Sequence, residues 1–200
     1  MEALYASQYC HSTSRKEDER AMIYESFYWK RDLAKRAAYL EEKLKQRRWD
    51  ERSYTRLEQE IMLGFYSIRK LADAKKIPDK LVNKQITLMY FKSRGDFIHH
   101  GNWANVDRHY HLADGKKITK TLAYVANQLI HSFVFLPVHL EATPLIEGIA
   151  FNSDRTKSEV LFTMKMSLIV DTFYRAATEY NRKTKRMDSA TGMTVYVVKD

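Results

Sequence analysis

The feature that most constrains the fold of this chain is an amphipathic pattern between residues 51 and 75. Apolar side chains recur there every three or four positions, and charged or polar side chains lie between them. The apolar positions are Leu57, Ile61, Phe65, Ile68 and Leu71 or Ala72. Because an α-helix turns once every 3.6 residues, this spacing places all of them on one face. The pattern predicts a long helix that packs its apolar face against the rest of the protein.

Four more helices are predicted from similar spacing. They are expected over residues 15–48, 79–93, 118–132 and 168–182. Pro78 separates the helix at residues 51–75 from the next one, since proline is tolerated in the first turn of a helix but not further along it. The chain has 6 glycines and 3 prolines, a composition that favours long regular elements over a loop-rich fold.

The pattern changes after Ser132. Three short runs rich in branched and aromatic residues follow, and residues typical of turns separate them. Their sequences are FVFLPVHLE, LIEGIAFNS and EVLFTMKM. We predict a three-stranded antiparallel β-meander over residues 133–166. Near the end of the sequence, MTVYVVKD follows a basic, polar stretch and has the composition of a short edge strand.

These patterns together predict a mainly α-helical fold, a helical bundle with a small three-stranded antiparallel β-meander insertion. We expect one domain over residues 15–183, with the meander at about residues 133–166. Residues 1–14 are polar and aperiodic, and we expect a flexible arm there. Residues 184–200 are expected to form a basic tail that ends in the candidate edge strand. Hydrophobic residues make up 44% of the chain, which is enough apolar surface for a folded core.

The charge of the chain favours acidic partners. Lys and Arg total 34 against 25 Asp and Glu, which gives a formal net charge of +9. Nucleic acid phosphates are the foremost partners of such a surface.

Three features bear on the compartment. Cys10 is the single cysteine, which excludes an intramolecular disulfide and suits a reducing environment. No apolar run reaches the about 18 residues that a membrane-spanning helix needs. The first 20 residues lack a basic start followed by an apolar stretch, so we expect no signal peptide. We therefore expect a cytoplasmic protein with no membrane partner.

The most informative local sequence is RGDFIHHG, residues 94–101, at the end of the expected helix over residues 79–93. Four residues separate Arg94 from His99, and five separate it from His100. Arginine stays charged and holds phosphate through paired N–H groups, while histidine exchanges protons near neutral pH. These side chains suit RNA cleavage, because the 2′-OH is a built-in nucleophile and the reaction needs proton transfer and charge stabilisation.

This motif resembles that of the HEPN superfamily, small α-helical domains that carry an Arg, four to six residues and then a His, often followed by Gly. The resemblance covers at most residues 51–132. It implies a metal-independent endoribonuclease with no cofactor, acting in a toxin–antitoxin or phage-defence system. Arg94 would stabilise the transition state, and His99 or His100 would act as acid and base. The family usually has Asn, Asp or His directly after the Arg; here that position is a glycine, and Asp96 is the candidate for the polar group.

The resemblance also implies partners. Residues five apart on an ideal helix lie about 140° from each other around the axis, so Arg94 and His99 would diverge on one helix. In the family, dimerisation brings two copies of the motif into one cleft. A homodimer that acts on RNA is therefore implied, with an antitoxin or defence protein as a further partner. Trp103, Arg108 and Arg155 are candidate RNA contacts, the indole through base stacking and the guanidinium groups through phosphate binding.

Three alternatives remain open. The chain could be a non-catalytic adaptor of similar fold that binds a partner protein or nucleic acid through its basic surface. A histidine cluster could instead hold a metal, because histidines two apart lie on one side of an extended segment. The candidate ligands are His99, His100, Asp107, His109 and His111. The motif could also be a helix C-terminus that stops at Gly95 and continues as a basic surface loop.

Overall fold

The computed structural model describes residues 23–180, 182–187 and 194–199, the last two segments by their backbone alone. The described residues form six α-helices and seven strands. The helices are α1 Ser26–Lys43, α2 Glu51–Asp73, α3 Asp79–Val82, α4 Val106–His109, α5 Leu122–Ile130 and α6 Met166–Thr178. The strands are β1 Gln85–Lys92, β2 Lys116–Thr121, β3 Ser132–His139, β4 Ile146–Ser153, β5 Val160–Lys165, β6 Arg182–Met187 and β7 Thr194–Lys199.

Five strands form one antiparallel sheet in the order β2-β1-β5-β4-β3. β1 and β2 pair across a long connection, residues 93–115. α5 then carries the chain from one edge strand, β2, to the other edge strand, β3. The meander of β3, β4 and β5 follows, and β5 returns beside β1. This is an α+β fold, so the expected mainly α-helical bundle with a three-stranded insertion is wrong.

Two segments that the spacing predicted as helix are strands. Residues 85–92 form β1, in which Ile86 and Leu88 are buried while Gln85 and Thr87 are exposed. That alternation has a period of two, and short apolar runs fit both periods until flanking elements decide between them. Residues 116–121 form β2, where β-branched isoleucine and threonine favour the extended chain. These two strands turn the expected insertion into the central sheet of the protein.

Other elements are confirmed. The helix predicted over residues 51–75 is α2, whose first turn is capped by the Asp50 carboxylate accepting from the Ser53 amide at 2.8 Å. The three meander strands and the last predicted helix, now α6, are also present. The helix predicted over residues 15–48 is described from Ser26, and the arm at residues 1–14 lies outside the described residues. The candidate edge strand is β7, which pairs with β6 in a separate two-stranded sheet.

The main core lies between one face of the five-stranded sheet and the helices α1, α2, α5 and α6. The rings of Phe65 in α2 and Phe173 in α6 meet edge to face, with centroids 5.2 Å apart. α2 and α6 approach this closely because Gly64 has no side chain, and a Cβ there would overlap the Phe173 ring. The stripe identified in the sequence is therefore the centre of the helical layer.

Buried charged groups join the helices to one another. Glu60 of α2 is almost fully buried and binds the guanidinium groups of Arg36 and Arg56. Lys30 of α1 is also buried; its Nζ donates to the Glu179 carbonyl and lies 3.4 Å from the centre of the Tyr180 ring. Burial lowers the pKa of Lys30 to about 8. Removing one partner of such a buried group leaves a charge uncompensated, so these contacts fix the positions of α1, α2 and α6.

The second face of the sheet has its own small core. Ile98 and Tyr110 of the β1–β2 connection are fully buried against Val134, Ala150 and Leu161 of the sheet. The connection therefore crosses this face as a packed layer. Its position brings residues 94–111 over β3, β4 and β5.

We expect Gly64→Ala to destabilise the fold. Alanine favours a helix over glycine by about 1 kcal/mol, but the added methyl group would push α2 and α6 apart. Overpacking of this kind costs about 1–3 kcal/mol, so the net change should lower the midpoint of chemical unfolding. Gln59→Ala, an exposed position on the same helix, is the matched control. Equal midpoints for the two variants would contradict the close approach of these helices.

Candidate nucleic-acid interface

The sequence motif lies at the start of the β1–β2 connection, beyond the end of β1 and not on a helix. Gly95 has φ 92°, a left-handed backbone that glycine adopts without strain, and its amide donates to the Ser93 Oγ at 3.0 Å. Arg94 is exposed; its backbone amide donates to the His109 carbonyl at 2.8 Å, and its Nε donates to the Tyr110 carbonyl at 3.3 Å. Gly95 thus ends a strand, where the sequence suggested the stop of a helix.

Asn102 organises the turn that carries the histidines. Its Oδ1 accepts from the His99 amide at 2.8 Å, and its Nδ2 donates to the Phe97 carbonyl at 3.0 Å. The Gly101 amide donates to His99 Nδ1 at 3.0 Å. Since Nδ1 accepts a hydrogen bond, the ring proton of His99 is on Nε2. His99 therefore presents an N–H donor to any ligand that reaches this surface.

Aromatic rings and cations meet around this turn. The Phe97 side chain is 81% exposed, and its ring lies 5.8 Å from the His99 ring at an interplanar angle of 29°. The His100 ring lies 5.0 Å from that of Phe133 on β3. Lys157 Nζ lies 3.7 Å from the centre of the same Phe133 ring. We call this surface the loop face; it consists of Arg94, Phe97, His99, His100, Phe133 and Lys157.

His109 holds the connection together from inside. It is 2% exposed, with Nδ1 3.3 Å from an Asp96 carboxylate oxygen and Nε2 3.0 Å from the Asn102 carbonyl. These two contacts tie Asp96 and Asn102 to the end of α4. The structure thus places Asp96 against His109 and not against Arg94 or His99.

The histidine cluster does not assemble into a metal centre. Within the described part of the chain, no group of three or more His, Cys, Asp or Glu side chains is placed to hold a metal ion. Both ring nitrogens of His109 are engaged by protein groups, as described above.

A buried polar network fastens the connection to the sheet. The Tyr110 hydroxyl donates to the Lys157 carbonyl and accepts from Asn152 Nδ2, each at 2.7 Å. Asn152 is fully buried on β4; its amide also donates to the Val160 carbonyl at 2.9 Å and accepts from the Val134 amide at 3.3 Å. Burial raises the pKa of Tyr110 to about 12. The hydroxyl therefore remains a donor throughout the physiological range.

The structure separates some predicted site residues and brings in others. Among the described residues, no hydrogen bond joins Arg94 to His99 or His100, because Arg94 binds the segment at residues 109–110 instead. Trp103 is half-buried and packs against the second core, and its role as an RNA contact stays a prediction. Arg108 and Arg155 are exposed, Arg108 on α4 and Arg155 in the β4–β5 turn.

Sequence reasoning missed three members of the loop face, and it also missed Tyr110 and Asn152 in the network beneath it. Phe97 has the free ring that was expected of Trp103, and Phe133 and Lys157 come from distant positions in the sequence. No local pattern indicates such contacts. Asn152 had a usable signal, because a single amide within the apolar run IAFNS needs buried hydrogen-bond partners.

We expect Tyr110→Phe to loosen the connection without unfolding the protein. The change leaves the buried Lys157 carbonyl without this donor, and such a loss costs about 1–3 kcal/mol. Amide hydrogen exchange should accelerate at Arg94 and His111, whose amides bond across the base of the connection. Tyr66→Phe, at an exposed hydroxyl, is the control. Unchanged exchange at both amides would show that the network does not hold the connection.

Comparisons with known proteins give no relative: no family model, no curated protein and no solved structure matches the chain.

Proposed function

We propose that this protein binds single-stranded RNA on the loop face. The observation that carries the proposal is the Phe97 ring, which is 81% exposed and backed by the His99 ring in a turn that Asn102 fixes. A fixed aromatic ring with a free face is a stacking platform for an unpaired base, and it accepts any base. Burying such a ring against a base would also remove its apolar surface from water.

Exposed cations of the β1–β2 connection and the β4–β5 turn suit the sugar–phosphate chain. Arg94, Arg108 and Arg155 are exposed, and none of them forms an ion pair within the described residues. Lys157 adds a further cation beside Phe133, although Asp154 shares it at 2.7 Å. Unpaired guanidinium groups bind phosphate without reading the sequence, and they make the affinity depend on salt.

RNA cleavage of the HEPN type stays a prediction, and the geometry supports specific roles for it. His100 would take the proton from the 2′-OH and, as the imidazolium so formed, return it to the leaving 5′-oxygen. Arg94 has N–H groups left to stabilise charge on the phosphate. His99 carries its proton on Nε2 and would donate a hydrogen bond to a phosphate oxygen. A toxin or phage-defence setting, with an antitoxin or defence protein as partner, rests on the resemblance alone. The alternative is an adaptor that binds RNA on this face without cutting it.

We expect Phe97→Ala to weaken binding of a short labelled single-stranded RNA about tenfold, since each stacked base contributes about 1–3 kcal/mol. Arg94→Ala should weaken binding and also reduce the slope of log affinity against log salt by about one. Fluorescence anisotropy at several salt concentrations measures both. Leu112→Ala is the matched control, because Leu112 is an exposed apolar side chain of the same connection.

The same samples test cleavage. A ribonuclease of the implied type would leave 2′,3′-cyclic phosphate ends and would work in EDTA, and Arg94→Ala would slow it by about 10²–10³. Binding without cleavage favours the adaptor. Cleavage that EDTA stops and that survives Arg94→Ala would overturn the assignment of Arg94. Binding that is equally strong in Phe97→Ala and Leu112→Ala would overturn the loop face as the RNA site.

A homodimer is the second part of the proposal, and α1 and α2 carry the surface that supports it. Since these helices and the loop face lie on opposite faces of the sheet, such a dimer would keep the two loop faces apart and would not form the shared cleft that the resemblance implies. Four large apolar side chains are exposed side by side on these helices: Phe27 54%, Tyr28 56%, Leu63 47% and Tyr66 42%. An exposed aromatic patch with a neighbouring Arg has the composition of an interface. Arg31 and Asp32 are adjacent and exposed, so a two-fold axis through α1 would set opposite charges against each other.

We expect light scattering to give twice the chain mass of 23.7 kDa at micromolar concentration. Tyr28→Ser combined with Tyr66→Ser should reduce the particle to a monomer, because these substitutions remove apolar area from the patch. Leu140→Ser, at an exposed position in the β3–β4 turn, should leave the dimer intact. A wild-type monomer would refute the dimer, and a dimer that only Phe97→Ala dissociates would move the interface to the loop face.

The described residues contain no helix that combines the length and the apolar character required to cross a bilayer. We propose the cytoplasm as the location, because the sequence has a single cysteine and an RNA-binding surface needs access to RNA.

A further inference from the structure

A second concave surface lies on the same face of the sheet as the β1–β2 connection, in the part that the connection leaves open. We call it the trough; its floor consists of Thr87, Met89, Val138, Gly148 and Thr163, and its rim includes Lys117, Glu147 and Lys165. Its volume is about 360 Å³. This size lies within the range of pockets that bind small molecules.

The register of the strands explains why the trough is elongated. Lys117, Met89 and Thr163 are paired neighbours on β2, β1 and β5, and Val138, Gly148 and Lys165 are paired neighbours on β3, β4 and β5. The floor therefore crosses all five strands of the sheet. With strands about 4.8 Å apart, four intervals give a length of about 19 Å. Gly148 adds no side chain, so the floor stays low beside β3.

The floor is mainly apolar, and its charges are unequal at the two ends. Glu147 binds Lys165 at 3.2 Å, which neutralises the rim at β4 and β5, beside the β3 end. Lys117, on the edge strand β2, is exposed and forms no ion pair within the described residues. A ligand that matches this surface has an apolar body and one anionic group at the β2 end.

We propose that the trough binds a long-chain aliphatic carboxylate, with its carboxylate at Lys117 and its alkyl chain directed toward Val138. Lys117 sets the position of the ligand carboxylate, because it is the one uncompensated cation on the rim. The long, apolar floor accommodates a chain and not a compact ring system. This proposal does not depend on RNA binding, because the trough and the loop face have no residue in common.

The chain provides a matched control on the same strand. Lys120 is three residues from Lys117 on β2, and its side chain lies on the opposite face of the sheet, with Nζ 4.9 Å from the centre of the Tyr124 ring. Lys117→Gln and Lys120→Gln lower the net charge of the protein by the same amount. Only Lys117→Gln removes charge from the trough.

The experiment is isothermal titration of the full chain with octanoate, decanoate and dodecanoate below their micelle concentrations. Affinity should rise with chain length, by up to about fourfold per methylene group if each buried methylene contributes about 0.8 kcal/mol. Lys117→Gln should weaken decanoate binding about tenfold, while Lys120→Gln leaves it unchanged. Decanol, which lacks the charge, should bind wild type and Lys117→Gln equally.

A variant that fills the trough completes the test. Thr163→Trp places an indole on the floor and should abolish binding of all three carboxylates, with circular dichroism and thermal unfolding confirming the fold. No binding of decanoate to the wild-type protein would overturn the proposal. Equal effects of Lys117→Gln and Lys120→Gln would also overturn it, because binding would then reflect net charge. A wild-type dimer that Thr163→Trp dissociates would show that a second copy covers the trough instead.

Discussion

The buried hydrogen bonds of Asn152 are the contacts on which the rest of the second face depends. They join the β1–β2 connection, through the Tyr110 hydroxyl, to the backbone of β3 and β5. A fully buried amide must find partners for its donors and its acceptor, because each unmet group costs about 1–3 kcal/mol. In the structure each of these groups has a partner, and the connection is thereby fastened to the sheet. Phe97 and His99 belong to a segment whose two ends are joined by backbone hydrogen bonds.

The two faces of the sheet differ because they are covered in different ways. Helices cover the whole of one face, and close approach at Gly64 completes that core. A single connection covers part of the other face, which leaves the trough open beside it. Lysines on the edge strand β2 also oppose pairing with the edge of another sheet, since an extended strand with adjacent charges is a poor template for aggregation. Lys117 opposes such edge pairing, and it is also the residue proposed to bind the ligand carboxylate.

The sequence allowed prediction of elements whose pattern is long and periodic. α2 has its apolar stripe over about four turns, and β3 to β5 have turn residues between them, so both were predicted. β1 and β2 were not predicted, because eight and six residues are too few to distinguish the two periods. The candidate site was found only in part. The motif lies in the segment that contributes to the loop face, but Tyr110 and Asn152 are 42 residues apart, and no local pattern shows that they meet.

The same limit explains why a spacing of Arg and His does not by itself define a site. On a helix, the number of intervening residues fixes the angle between two side chains. Here the segment is a turn, so the directions of Arg94 and His99 are set by the groups that bind them. Asn102 bonds to the Phe97 carbonyl, the His99 amide and, through its own carbonyl, His109. Asn102, which the motif does not include, therefore determines the positions of the Phe97 ring and the His99 N–H donor. The chemistry of this surface depends on that residue as much as on the histidines.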